Sequence, residues 1–188
     1  MGRKRPARPI TRTSDVLDIQ DYLKYKNYRD YVLFLVGVTT GYRAGDLVNL
    51  KVRDIKEAMR KKEFTIYEGK KMKTKKIREK NRKPRTVELI PELAKILKEY
   101  IKDKKDYEYM FKSRKGVNKP IGIQAVTNAI KEAANYFGLY DITAHSMRKT
   151  YAYKIYIESD RDIVVVKELL GHSSICLLYT SPSPRDTR

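Results

Sequence analysis

The residues best suited to chemistry are two arginines and two histidines. Arg43 follows a glycine turn, and His145 and Arg148 stand three residues apart. His172 directly follows the expected end of a helix. Arginine offers a planar fork of donors to phosphate oxygens, and histidine offers a donor or a proton shuttle. Such a set suits phosphoryl transfer without a metal, in which a lysine protonates the leaving alkoxide and a tyrosine attacks.

Each of these features is weak evidence alone. An H-x-x-R pair often arises by chance, and a histidine after a helix can simply favour the helix dipole. The weight lies in the order along the chain, which runs TGYRAGDL, a lysine-rich stretch, HSMR, LGHSS and a tail tyrosine. Because residues three apart share a helix face, His145 and Arg148 are predicted to form one oxyanion clamp.

The charge of the chain favours a polyanionic partner. The 188 residues include 42 Lys+Arg against 23 Asp+Glu, a formal net charge of +19. The excess is concentrated in residues 1–13 and 70–85, and in the second range only Glu79 opposes ten cations. Contacts between such residues and phosphates release counterions, which predicts salt-dependent binding to nucleic acid. A solvated loop and tail are the simpler alternative, and a membrane surface is disfavoured because no amphipathic helix accompanies the run.

Composition excludes several classes of site. The single cysteine, Cys176, rules out a disulfide framework and a multi-cysteine zinc site, and two histidines are too few for most histidine-built metal centres. The glycine motifs of phosphate loops and dinucleotide sites are missing. The sequence shows no apolar run of transmembrane length and no secretory signal. We therefore expect a soluble protein, and ATP-driven and dinucleotide chemistry are disfavoured.

The pattern of apolar residues predicts a mostly helical α+β domain with a small antiparallel sheet. Helices are expected over 14–26, 28–40, 43–50, 91–100, 123–137, 146–158 and 160–170. Short strands are expected at Val52, 64–67 and 86–89, with the basic run as a hairpin tip between the last two. Ser14 is expected to cap the first helix. Gly41 is expected to end the second helix, which is apolar on all sides and so should be buried.

Taken together, these segments resemble the catalytic domain of the tyrosine recombinase, or phage integrase, family over roughly residues 14–175. TGYRAGDLVNLKVRDI is similar to the first arginine box, with Arg43 in the catalytic place and Asp46 where relatives carry a supporting acid. HSMRKTYAYKIY resembles the H-x-x-R box, and LLGHSS resembles the box of the final histidine. The stretch NYRDYVLFLVGVTTGYRAGDL is similar to small single-domain phage or mobile-element integrases of bacteria.

The resemblance implies the integrase-type catalytic fold and a site-specific recombinase. Such an enzyme would cut one DNA strand at a time, hold it as a 3′-phosphotyrosyl link and need no metal or cofactor. Arg43 and Arg148 would clamp the scissile phosphate. His145 would act as acid and base, and His172 would donate a hydrogen bond to a phosphate oxygen.

The lysine-rich hairpin would supply both a general acid and contacts to DNA. In the family, the lysine that protonates the leaving 5′-oxygen usually precedes Thr-Gly, and Lys73 before Thr74 is the nearest match here. Lys71 stays open as the alternative, since this tip holds several lysines. The predicted contacts to the DNA backbone are Lys70, Lys71, Lys75, Lys76, Arg78, Arg82 and Lys83.

Both ends of the chain depart from the family pattern. A flexible basic arm, residues 1–13, stands where relatives commonly carry a core-binding domain. The nucleophile usually lies about nine residues after the final histidine on a continuing helix, and that register falls on Ser181. Tyr179 is the only tyrosine of the tail, and two nearby prolines prevent a helix. We expect residues 176–188 to be non-native or truncated, with Tyr179 as the nucleophile if the tail is genuine.

The resemblance also implies partners and a cellular place. We expect binding to double-stranded DNA, a homo-tetramer on paired DNA sites, a monomer in free solution, and a bacterial cytoplasmic location at the nucleoid. Three rival functions remain open: a catalytically silent DNA-binding relative, a type IB topoisomerase-like enzyme that relaxes DNA, and a basic RNA-binding protein.

Overall fold

The computed structural model describes residues 6–66 and 84–170. Over these residues the chain forms eight helices and a two-stranded antiparallel sheet, which confirms the predicted fold class. The helices are α1 (Thr13–Lys26), α2 (Tyr28–Thr40), α3 (Ala44–Leu47), α4 (Val52–Lys61), α5 (Pro91–Ile101), α6 (Ile123–Tyr136), α7 (Ala144–Glu158) and α8 (Ile163–Leu170). The strands are β1 (Glu63–Ile66) and β2 (Arg85–Glu88). Within the described ranges, every helix is too short or too polar to cross a bilayer.

Helix α2 lies at the centre of the core. Its side chains are apolar around most of the helix and are largely buried, as predicted, because α1, α5, α6 and α7 pack around it. The helix begins where the Asn27 side chain accepts a hydrogen bond from the Arg29 backbone N–H at 3.1 Å. It ends at Gly41, whose φ of 61° is left-handed, so the predicted glycine stop is confirmed.

Helices α2 and α7 approach each other closely enough to require glycine. A Cβ atom added at Gly37 would lie 2.3 Å from the sulfur of Met147, and one added at Gly41 would lie 2.3 Å from the Tyr151 ring. Both distances are far below van der Waals contact. Helix α7, which carries His145 and Arg148, is therefore held in a tight, fixed relation to α2, whose C-cap Gly41 lies two residues before Arg43.

The sheet is a short antiparallel pair, as predicted. Phe64 of β1 pairs with Val87 of β2, and Ile66, the last residue of β1, pairs with Arg85, the first residue of β2. Phe64 is buried and anchors the pair to the core. The basic stretch between the strands falls at residues 67–83, outside the described residues.

Two details of the predicted elements are wrong. Val52 begins helix α4 and is not in a strand, because Val52, Ile55 and Ala58 repeat at three-residue spacing and bury one helix face. Ser14 does not cap α1, which begins one residue earlier with Arg12 at the N-cap position. The Arg12 guanidinium instead pairs with Asp15 at 3.1 Å across the first turn.

Part of the segment expected to be a flexible arm is attached to the domain. Ile10 is buried, and its backbone N–H donates to the Thr150 hydroxyl of α7 at 2.9 Å. The Arg8 N–H donates to the Asp141 carbonyl at 3.1 Å. The first contact ties Ile10 to the helix that carries His145 and Arg148, and the second ties Arg8 to the segment just before that helix.

Candidate active site

Arg148 connects three segments that are far apart in the sequence. It lies on α7 and is buried, with 6% of its surface exposed. One terminal guanidinium nitrogen donates to the Gly41 carbonyl at 2.8 Å, and the other donates to the Leu170 carbonyl at 2.7 Å. Gly41 lies two residues before Arg43, and Leu170 lies two residues before His172. The H-x-x-R segment is therefore bonded to the start of the first arginine box and to the end of α8.

The N-terminus of α7 is capped in both directions, which fixes the turn that carries His145. The Thr143 hydroxyl accepts from the His145 backbone N–H at 3.2 Å, and the Ser146 hydroxyl accepts from the Thr143 backbone N–H at 3.0 Å. These bonds satisfy N–H groups that a helix N-terminus otherwise leaves unpaired.

His145 and Arg148 occupy the same helix but different environments. His145 is exposed at the first turn, whereas Arg148 is buried one turn later. The two residues lie one turn apart, as predicted from their spacing, but their side chains differ in exposure to solvent. An exposed imidazole can meet an incoming ligand, while the buried guanidinium is held by two backbone carbonyls.

Arg43 lies on a turn with well-defined backbone geometry. Its φ of −69° and ψ of 143° are extended, and it is the N-cap residue of α3. The Arg43 carbonyl accepts from the backbone N–H of Asp46 at 2.9 Å and of Leu47 at 3.0 Å. The preceding residue, Tyr42, is fully buried, and its hydroxyl donates to the Phe64 carbonyl at 3.1 Å. Arg43 itself is half-buried.

Sequence reasoning missed two polar groups near these segments. Lys149 follows Arg148 and is half-buried, and this burial lowers the pKa of its ammonium. Thr150 accepts the Ile10 N–H described above. Their positions within HSMRKT were visible in the sequence, but no local pattern indicated their burial.

An acidic cavity of about 430 Å³ lies beside α3, between α4 and β1. Its polar lining includes the carboxylates Asp46, Asp54, Glu57 and Glu63 and the ammonium of Lys61. Among residues 6–66 and 84–170, no three His, Cys, Asp or Glu side chains come together in a way that could hold a metal ion.

Several predicted site residues fall outside the described part of the chain. Of the six expected catalytic residues, Arg43, His145 and Arg148 are described, whereas Lys73, His172 and Tyr179 are not. The alternative general acid Lys71 is also outside the described ranges, as are the remaining predicted DNA contacts Lys70, Lys75, Lys76, Arg78, Arg82 and Lys83.

Comparison with known sequences gives one consistent family. The sequence profile of the Phage integrase family matches residues 10–180. "Probable integrase/recombinase YoeC" of Bacillus subtilis is 32% identical over 166 residues, which cover 88% of this chain and 83% of that protein. "Tyrosine recombinase XerA" of Pyrococcus furiosus is 30% identical over 149 residues, which cover 78% of this chain and 47% of that protein. The chain thus spans most of YoeC and about half of XerA.

Solved structures share the fold. The crystal structure of XerA recombinase matches with a TM-score of 0.71 and 20% identity, over 98% of this chain and 62% of that one. The Tn1549 transposon integrase in complex with transposon right end DNA matches with a TM-score of 0.72 and 14% identity, over 96% of this chain and 63% of that one. At these identities the likeness concerns the fold, and the chain spans less than two thirds of each structure.

Proposed function

Because the chain belongs to the phage integrase family, we propose that it cuts and rejoins DNA at specific sites through a 3′-phosphotyrosyl intermediate. The observation that carries this proposal is the position of Arg148. Its guanidinium is bonded to the Gly41 and Leu170 carbonyls. It thereby brings together three segments whose order along the sequence first indicated the chemistry.

In the proposed reaction, the Tyr179 hydroxyl attacks the scissile phosphorus and forms a new P–O bond. The bond from phosphorus to the 5′-oxygen breaks, and Lys73 or Lys71 protonates that oxygen as it leaves. His145 accepts the proton of the tyrosine, which suits its exposed place on α7. A 5′-hydroxyl of the partner strand then attacks the phosphotyrosyl link and releases the tyrosine.

Charge neutralisation falls to the two arginines and His172. Negative charge grows on the non-bridging oxygens as the phosphorus becomes five-coordinate, and preorganised guanidiniums stabilise it without further rearrangement. Arg43 and Arg148 suit this role because the first follows a turn anchored at three successive residues and the second is fixed by two carbonyls. We assign His172 a single hydrogen bond to one of these oxygens.

DNA affinity is assigned mainly to the basic residues of the stretch 70–85 and to the N-terminal segment, residues 1–13. Phosphate contacts by lysine and arginine carry most sequence-independent affinity and weaken steeply with salt. Replacing Arg43 or Arg148 by Ala should therefore slow cleavage by about 100-fold or more while most DNA affinity remains. Loss of all binding in both variants would contradict this division.

The proposed organisation places the catalytic domain at residues 14–175, with a basic segment before it and a tail after it. The relatives solved with DNA support duplex DNA as the partner. We propose a monomer in free solution and a tetramer on paired DNA sites, acting at the bacterial nucleoid. Light scattering tests the free state, and a stable dimer without DNA would contradict it.

The test of the proposed function is trapping of a covalent adduct. The purified chain is incubated with a library of random-sequence duplexes, and complexes that survive detergent are recovered and sequenced. We expect adducts at a defined site, and none with Tyr179→Phe, which keeps the ring but lacks the attacking hydroxyl. Adducts that persist in Tyr179→Phe would contradict the assignment of the nucleophile.

Adduct trapping, together with plasmid-relaxation and RNA-binding assays, separates the rival functions. Tight DNA binding without any adduct would indicate a catalytically silent relative. Relaxation of a supercoiled plasmid without site preference would indicate a topoisomerase-like activity. Equal affinity for RNA and duplex DNA would indicate an RNA-binding protein.

A further inference from the structure

Tyr42 is the residue inserted between the glycine turn and Arg43. It is completely buried, and its hydroxyl donates to the backbone carbonyl of Phe64 in β1 at 3.1 Å. The bond joins residues 22 positions apart in the sequence. A buried tyrosine hydroxyl needs such a partner, because an unpaired polar group in the core is costly.

The turn around Tyr42 is fixed at three successive residues. The Gly41 carbonyl accepts from Arg148, the Tyr42 hydroxyl donates to Phe64, and the Arg43 carbonyl accepts from the N–H groups that begin α3. The first and third of these contacts use backbone carbonyls, which every residue type possesses. Of the three turn residues, only Tyr42 makes its contact through its own side chain, and phenylalanine or leucine in its place would fill the space without making the bond.

The Arg43 side chain leaves the turn beside Tyr42 and is half-buried, with one terminal guanidinium nitrogen enclosed by the protein. Arg43 has an extended backbone and directly follows Tyr42, so the two side chains leave adjacent Cα atoms of one fixed turn. Tyr42 points inward and is fully buried, while Arg43 is only half-buried. Fixing the Tyr42 side chain therefore also fixes the direction in which the next side chain leaves the turn.

We propose that Tyr42 is a positioning residue for Arg43. The bond from its hydroxyl to β1 holds the turn so that the guanidinium occupies the place where the scissile phosphate arrives. The inference rests on the proposed function, because the positioned group matters only if Arg43 acts on a phosphate. A small displacement of such a group lowers the rate of the chemical step more than it lowers binding.

The test is Tyr42→Phe, which removes one oxygen atom and keeps the ring. Adduct formation is measured in a single turnover at saturating DNA, at a temperature where thermal unfolding shows the variant to be fully folded. We expect the cleavage rate to fall by about tenfold with the Kd for DNA unchanged. The matched control is Tyr31→Phe, another buried tyrosine, which lies near the opposite end of α2. That variant should cleave at the wild-type rate.

A double-mutant cycle with Arg43→Lys separates positioning from a general structural role. If Tyr42 acts through the guanidinium, Tyr42→Phe should slow cleavage by less than about twofold once Arg43 is lysine. An equal slowing in both backgrounds would overturn the proposal, as would wild-type cleavage by Tyr42→Phe or a loss confined to DNA affinity. If the wild-type chain forms no adduct, the proposed function itself fails and the positioning role fails with it. If the wild-type chain forms the adduct but the two substitutions slow cleavage independently of each other, only the positioning role is refuted and the proposed function stands.

Discussion

In two regions of the molecule a cationic side chain contacts oxygen atoms, but one contact is buried and the other lies on the surface. At the junction of α2, α7 and α8, the buried Arg148 donates to the carbonyls of Gly41 and Leu170. On the outer surface between α1 and α6, Lys26 pairs with Glu132, and both side chains are about half exposed. The rings of Tyr22 and Tyr136 lie 5.0 Å apart beside that pair.

The difference separates contacts that define geometry from contacts that cover a surface. Removing a buried donor leaves its carbonyl partners without a hydrogen bond in a place that water reaches poorly. Removing one member of an exposed pair exchanges it for water, and salt screens the attraction. Substitutions at the junction should therefore change both stability and cleavage, whereas substitutions on the outer surface should change neither.

The largest effect on stability is expected at Gly41. Its φ of 61° disfavours any side chain, and a Cβ would lie 2.3 Å from the Tyr151 ring. Gly41→Ala should lower the free energy of unfolding by about 3 kcal/mol, from backbone strain and overpacking together. Urea unfolding measures this change.

Gly138 provides the matched control for Gly41. Its φ of 71° is also left-handed, but apart from its two chain neighbours no atom of residues 6–66 and 84–170 lies within 4 Å of its added Cβ. Gly138→Ala should cost only about 1 kcal/mol, because strain acts there without a clash. Equal losses at the two positions would show that the close approach of α2 and α7 is not what makes Gly41 necessary.

A smaller effect is expected where the N-terminal segment joins the same junction. Thr150→Val removes the hydroxyl that accepts the Ile10 N–H and leaves that buried N–H unpaired. The free energy of unfolding should fall by about 1 to 2 kcal/mol.

The control for this change is Thr39→Val. The Thr39 hydroxyl donates to the Leu35 carbonyl within its own helix, so its loss should change stability by less than about 0.5 kcal/mol. Proteolysis should also cut earlier near residue 10 in Thr150→Val. If the two variants were equally stable and were cut at equal rates, the Thr150 hydroxyl would not be what anchors Ile10 to the domain.

A third effect depends on pH and lies away from the junction. Half-burial lowers the pKa of Lys104 to about 8, and its ammonium lies 3.0 Å from the centre of the Tyr100 ring. Because the folded pKa lies below the unfolded value of 10.5, the unfolded chain binds more protons between these two pH values. The contribution of Lys104 to stability therefore rises with pH across that window.

The measurement for Lys104 is urea unfolding of Lys104→Met from pH 7 to pH 10. At pH 7 the variant should be the more stable chain by at most about 1 kcal/mol, since partial exposure screens the penalty of the charged form. The difference in the free energy of unfolding between the variant and wild type should decrease as pH rises past 8. A gap that stays constant over the whole range would contradict the lowered pKa.

The smallest effect is expected on the outer surface. The hydrogen bond from Lys26 to Glu132 raises the pKa of Lys26 and lowers that of Glu132, yet both side chains are about half exposed. Lys26→Ala should leave urea unfolding unchanged within error at physiological salt. If Lys26→Ala lowered the free energy of unfolding as much as Thr150→Val does, the proposed difference between the buried junction and the outer surface would be wrong.

Much of the fold could be predicted from local pattern. The apolar run of α2 and its glycine stop are encoded within a few neighbouring residues, and the structure confirms both. Helix α4 also follows local pattern, since Val52, Ile55 and Ala58 share one face, so the strand predicted at Val52 is wrong. The β-branched side chain of Val52 favours a strand only weakly, and the three-residue period of buried positions outweighs it.

The interior contacts of the site could not be predicted from local pattern. The bond from Ile10 to Thr150 spans 140 positions, and that from Arg148 to Gly41 spans 107. The family resemblance indicated that the boxes act together, but it did not indicate that Arg148 is buried while His145 is exposed. Exposure depends on what packs against a helix, which the spacing of two residues does not encode.

The most direct test of the central claim is cleavage of a site whose scissile phosphate carries a methyl group in place of one non-bridging oxygen. This methylphosphonate lacks the negative charge that Arg43 and Arg148 are proposed to neutralise. On ordinary DNA, each Arg→Ala variant should cleave more slowly than wild type by about 100-fold or more. On the methylphosphonate, folded Arg→Ala variants should recover to within about tenfold of wild type. An equal deficit on both substrates would show that the two arginines do not act on the charge of the phosphate, and would contradict the account.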